Sequence, residues 1–94
     1  MHYIDITYTH PHPEEPVRLV SELDADRWET RKLEFYVDGR VGWASADASH
    51  LGSTLNESQL PALAAINADP QFECVAIDEV EFEALWHKHA SGDA

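Results

Sequence analysis

Two histidines stand two residues apart in His10-Pro11-His12-Pro13-Glu14-Glu15-Pro16. On an extended strand that spacing turns both imidazoles to one side, where they would ligate a transition ion. Pro11 and Pro13 interrupt such a strand, since proline fixes φ and removes a donor. No third ligand adjoins the pair. His10 and His12 therefore read as exposed loop histidines, and they remain the candidate ligands of an alternative reading: a small-ligand or metal-binding domain built on this loop. His50, His87 and His89 join them only if the fold gathers them. Cys74, the single cysteine, lies in the apolar run Phe72-Glu73-Cys74-Val75-Ala76-Ile77. Its neighbours are acidic or apolar, so it reads as a buried thiol and not a thiolate nucleophile. There is no phosphate loop, dinucleotide fingerprint or nucleophile elbow. Carboxylates are plentiful, but an acid–base pair needs a pocket, and 94 residues around one core leave little room for it. The expectation is a non-enzyme without a cofactor.

The remaining chemistry is recognition. Arg27-Trp28-Glu29-Thr30-Arg31-Lys32-Leu33-Glu34 mixes both charges with an indole. Asp38-Gly39 marks a hairpin turn. A three-residue loop with Gly39 as a left-handed bulge pairs Phe35 with Val41 and Leu33 with Trp43. That register gathers the apolar set on one face and leaves Lys32, Glu34, Tyr36 and Arg40 on the other. A one-residue slip would turn the apolar set to solvent, so the bulged register is the expected one.

These residues need elements to carry them. His2–Thr9 and Val17–Leu23 alternate as strands, separated by the proline-rich loop. Trp28–Val37 and the segment after Gly39 form the hairpin. Residues 44–57 read as a long loop of small and polar residues, a length that is often functional. Ser58 caps an expected helix over 59–66. Phe72–Ile77 is a fifth strand. Asp78 and Glu81 form a capping box, with Ile77 stapled onto Phe82, for a helix whose stripe is Phe82, Leu85 and Trp86. The expected class is α+β, a β-β-β-β-α-β-α chain forming an antiparallel sheet of about five strands with two helices packed on one face. It forms a single domain over 1–90, with a frayed tail at 91–94.

Eighteen Asp and Glu oppose six Lys and Arg, a net charge of −12. Such a chain is repelled by phosphate backbones and anionic membrane surfaces, so neither nucleic acid nor membrane is an expected partner. At 44% hydrophobic it is nonetheless no disordered acidic tail. Residues 41–94 hold nine acids and a single base, Lys88. No signal peptide or spanning segment is legible, and the cytoplasm is the expected compartment.

Three stretches carry a resemblance: Glu15-Pro16-Val17 to Ser21-Glu22-Leu23-Asp24; Arg27 to Tyr36 running into Asp38-Gly39-Arg40-Val41-Gly42; and Ile66-Asn67-Ala68-Asp69-Pro70 with Phe72-Glu73 and Glu81-Phe82. The chain resembles a family of small acidic single-domain bacterial proteins known as a domain of unknown function. The resemblance implies a genomic style, that of immunity proteins beside polymorphic toxins.

The functional expectation is a protein-interaction module of the immunity or antitoxin type, which occludes a basic toxin domain. Lys32, Glu34, Tyr36 and Arg40 would supply an open sheet face, and Asp47 and Glu57 negative charge from the long loop. Trp28 would anchor if exposed, with Trp43 and Trp86 in the core. The chain is expected as a monomer or weak dimer.

Overall fold

Alternating side chains extend the chain into β1 (His2–Tyr8), β2 (Arg18–Leu23), β3 (Glu29–Phe35) and β4 (Val41–Ser45). A two-residue β5 (Ser49–His50), a short helix α1 (Leu63–Asn67), β6 (Phe72–Ile77) and α2 (Glu79–His89) follow. These elements come from a computed structural model that describes residues 1–90. The tail expected at 91–94 lies outside the described residues. The fold is α+β: a six-stranded sheet in the order β5-β4-β3-β2-β1-β6, with every pairing antiparallel, and two helices. The sixth strand is β5, where Ser49 and His50 pair with Ala44 and Trp43 inside the segment expected to be loop.

The hairpin takes the bulged register. Leu33 pairs with Trp43 and Phe35 with Val41. The Tyr36 amide donates to the Arg40 carbonyl at 3.0 Å, and Gly39 adopts φ +95°. A side chain at that φ would be strained, which is why glycine holds the position.

The two helices do not share a face. On β1, Tyr3 packs with Val20, Leu33 and Phe82 of α2, whereas Ile4 and Ile6 pack with Leu23, Cys74 and Ile66 of α1. Adjacent strand residues point to opposite sides, so α2 covers one face and α1 the other. Parity causes the correction. Tyr3 pairs with Glu22 and Val20 with Leu33, so the hairpin's apolar set shares a side with Tyr3 and Asp5, not with Ile4 and Ile6. The long proline-rich loop between β1 and β2 hides that relation in the sequence. Both Leu19 and Val20 are accordingly packed, on opposite faces.

α2 begins as its capping box dictates: the Glu81 amide donates to Asp78 at 2.8 Å, and the reciprocal bond is present. Its Phe82 is fully buried. Arg31 then ties the helix to the sheet. Its guanidinium reaches Glu22 at 2.7 Å and Glu83 at 2.6 Å, and it lies over the Phe82 and Trp86 rings. α1 starts at Leu63, four residues later than the capping serine predicts, and no side chain caps it. The reason is tertiary. Arg27 Nε and Nη2 donate to the carbonyls of Leu60 and Pro61, and the Leu60 amide donates to the Arg27 carbonyl. Those groups would otherwise open the helix.

After β5, Leu51 (φ +58°) and Gly52 (φ +72°) form a tight turn. A leucine in the left-handed region costs about 1–2 kcal/mol. Leu51→Gly is therefore expected to raise the urea midpoint, by roughly 1 kcal/mol of stability after the entropy of the added glycine is subtracted.

Candidate functional site

The sheet order forces a crossing. β5 lies at one edge and β6 at the other, so residues 51–62 must traverse the α1 face of the sheet. They do so as a strap held by side chains of β3. Ser53 Oγ donates to Glu34 Oε1 at 2.5 Å, and the Asn56 amide donates to Glu29 Oε1 at 2.7 Å. Glu29 also accepts from Ser21 Oγ at 2.7 Å. Lys32 Nζ sits 3.5 Å from both Glu29 and Glu34. Side-chain exposures are 13% for Lys32, 16% for Glu34 and 5% for Glu29.

This network corrects the expected open face. Lys32 and Glu34 lie on the side opposite α2, but the strap covers that side: Glu34 holds it through Ser53, and Lys32 faces the two carboxylates that hold it. Tyr3, Asp5, Arg18 and Glu22 lie on the other face, beneath or beside α2. The Arg18 guanidinium is bidentate to Asp5, at 2.7 and 3.0 Å. Burial pushes the Tyr3 hydroxyl up to about 12, with its bond to Glu22 adding to the effect. The Arg31 bond holds the Glu22 carboxyl below its ordinary range despite burial. At the hairpin tip, Arg40 is bonded to Asp38 at 2.7 Å and lies over the Tyr36 ring. Asp47 and Glu57 are exposed, as a surface role requires.

Gly42 marks how closely the strap approaches. A Cβ there would lie 2.5 Å from Ser53 Oγ and 3.2 Å from the His50 carbonyl. Gly42→Ala is expected to displace the Ser53 hydroxyl from Glu34 and cost about 1–3 kcal/mol. Denaturant titration beside Ser53→Ala checks it, because the two losses share one hydrogen bond and should not add.

Most of the cations are engaged within the fold. Arg18, Arg31, Lys32 and Arg40 each pair with carboxylates, and Arg27 is pinned to two carbonyls. Lys88 alone of the Lys and Arg side chains makes no such bond among the described residues. Exposed Glu14, Glu15, Asp26, Asp47, Glu57, Asp69, Glu73, Asp78, Glu79 and Glu81 form no ion pair among the described residues. Much of this charge collects at one end of the sheet. His2 pairs with Leu23, Tyr3 with Ile77 and Arg31 with Ser45, so the β2–β3 turn, the β6–α2 junction and the 46–48 turn share that end. Asp24, Asp26, Asp47, Asp78 and Glu79 belong to it, and Glu57 follows the Asn56 anchor beside Glu29.

Two further features mark this acidic end. Trp28 is 43% exposed there. Its turn is rigid: Asp24 Oδ1 accepts from the amides of Asp26 and Trp28, and Arg27 holds φ +68°. Beside it opens a cleft of about 610 Å³ whose lining includes Tyr3, Arg27, Leu63, Ile77, Asp78 and Glu79. Trp43 and Trp86 instead pack edge to face against the core, 5.8 Å apart. Composition signals the acidity, but its assembly at one end depends on the pairing of β6 with β1, for which the sequence has no signal.

The histidines divide. His10 Nε2 donates to the Pro16 carbonyl at 2.8 Å, and its Nδ1 accepts from the His12 amide at 3.0 Å. Both ring nitrogens are thus engaged, and His10 is no metal ligand in this arrangement. His50 stacks on Trp43 and His89 sits edge-on to Phe35. Cys74 is buried, and burial pushes its thiol up.

Residues 2–91 match the model of a domain of unknown function, DUF6881. The chain belongs to that family. No match to a curated protein or to a solved structure was found for this DUF6881 domain. Among its described residues no helix is long and apolar enough to cross a membrane.

Proposed function

We propose that this DUF6881 domain is a non-catalytic interaction module that binds and occludes a basic protein partner, in the manner of an immunity protein facing its toxin. The observation that carries the reading is the division of charge. Five of the six Lys and Arg side chains are engaged by partners within the chain, while carboxylates with no ion pair among the described residues gather at one end of the sheet around an exposed indole and a cleft. An acidic field of this kind speeds encounter with a basic surface. A rigidly presented Trp supplies the apolar anchor that sets residence time. Asp47 and Glu57 keep the role expected of them, joined by Asp26, Asp78 and Trp28. Glu34 acts through the strap it holds, and Lys32 through the Glu29 and Glu34 carboxylates it faces.

The test is growth rescue. The domain is co-expressed with the toxic protein encoded beside its gene, if one is present, or with a panel of basic toxin domains. The wild type should restore growth. Asp26→Lys/Asp47→Lys/Glu57→Lys, shown to be folded by circular dichroism, should not. Full rescue by the folded triple variant would overturn the assignment of this surface.

A further inference from the structure

The proline-rich loop holds a cluster that the interaction reading does not use. His12, Glu14 and Glu15 each offer one donor atom, and these atoms lie within 4.8 Å of one another. We propose that they form a site for a divalent transition ion of the Zn²⁺ class, at the end of the sheet opposite the acidic cleft.

Four observations support it. First, the donor set is one imidazole and two carboxylates without a thiolate, a mixed N/O set that suits Zn²⁺. Bonds of about 2.0–2.2 Å would draw the donors closer together, a step that rotation of the two glutamate side chains provides. Second, His12 is held in place. Its ring stacks on His10 at 5.8 Å, with 21° between planes, and His10 is locked by its two hydrogen bonds. The row of rings continues through Tyr8, tilted against His10 at 4.2 Å, to Phe72, stacked on Tyr8 at 4.7 Å. His10 thus stands where an outer-sphere positioning residue would, not as a ligand. Third, the loop is stiff: the Glu15 amide donates to the His12 carbonyl at 3.1 Å, and Pro11, Pro13 and Pro16 fix φ. Fourth, Glu14 and Glu15 are adjacent exposed carboxylates that form no ion pair among the described residues, so a dication would relieve their repulsion. Three protein ligands leave at least one position to water, or to a ligand from a partner.

The experiment is calorimetric titration of the full chain with ZnCl₂ in a non-coordinating buffer at pH 7.5. One ion should bind per chain. His12→Ala and Glu14→Gln/Glu15→Gln should each weaken binding by at least the roughly tenfold that loss of even an outer-sphere partner costs. His2→Ala, which alters an exposed imidazole elsewhere, should leave the affinity unchanged. All these positions are exposed, and circular dichroism confirms that each variant folds. No heat with the wild type, or binding that survives His12→Ala, would overturn the site. Neither outcome bears on the acidic end, whose rescue test is run without added metal.

Discussion

Arg31→Ala is expected to cost about 3–5 kcal/mol, the range for removing one partner of a largely buried ion pair. That loss is a large share of the stability of a domain this small, whose total is on the order of 5–15 kcal/mol. The guanidinium makes bidentate contact with Glu22 and with Glu83, and its side chain is 21% exposed, that of Glu22 only 8%. Deleting it strands the Glu22 carboxylate beneath α2 and removes a cation from the faces of Phe82 and Trp86. Arg31→Lys should recover little, because an ammonium cannot make two forked pairs at once. A urea titration checks both variants. A midpoint within about 1 kcal/mol of wild type for Arg31→Ala would mean that the pair's desolvation cost cancels its attraction. The same pair sets a pH dependence. The folded Glu22 carboxyl lies below its ordinary value of 4.5 because of the Arg31 bond. Its stabilisation is therefore complete above that value and is lost as pH falls through the lower, folded one. Glu22→Gln should flatten this acid limb.

Glu29→Ala is the second large effect, again expected at about 3–5 kcal/mol. The Glu29 carboxylate accepts from Ser21 and from the Asn56 amide, and faces Lys32. Without it the Ser21 hydroxyl and the Asn56 amide lose their acceptor, and a largely buried ammonium is left with Glu34 as its carboxylate partner. The consequence should be regional as well as global. Amide exchange at Asn56 and Leu60 should quicken relative to that of α2, because the strap loosens before the sheet opens. Glu29→Gln keeps the acceptor and gives up the charge, so it should cost less than the alanine. Equal exchange across strap and α2 would show that the strap has no stability of its own to lose.

These two networks explain which parts of the fold the sequence makes legible. Local signals translate directly into structure. Gly39 sets the hairpin register through its left-handed φ, and Asp78 with Glu81 starts α2. Period-two alternation marks β1 and β2. Relations between distant segments leave no such trace. Nothing in Phe72–Ile77 says that it pairs with β1 rather than β4, yet that pairing sends the strap across the sheet and α1 to the face opposite α2. Once the strap crosses, Lys32 and Glu34 are covered: Glu34 anchors Ser53, and Lys32 faces the two carboxylates that hold the strap. Ser58 is a sound cap by type, but Arg27 takes the carbonyls a helix would need, so α1 begins at Leu63. The candidate site follows the same rule. Its acidity is compositional and visible; its location depends on which turns share one end of the sheet. Trp28 could be named as an anchor, but only the rigid β2–β3 turn establishes its exposure.

The most direct measurement is the association rate constant with the partner identified by rescue, followed from low to high salt. Because the partner is expected to be basic, the wild-type rate should be fast at low ionic strength and fall steeply as salt is added. Asp26→Lys/Asp47→Lys/Glu57→Lys should associate slowly with little salt dependence, and Trp28→Ala should chiefly raise the dissociation rate. A wild-type rate indifferent to salt would contradict the account. So would a larger loss from Tyr36→Ala/Arg40→Ala at the opposite end than from the acidic-end variant.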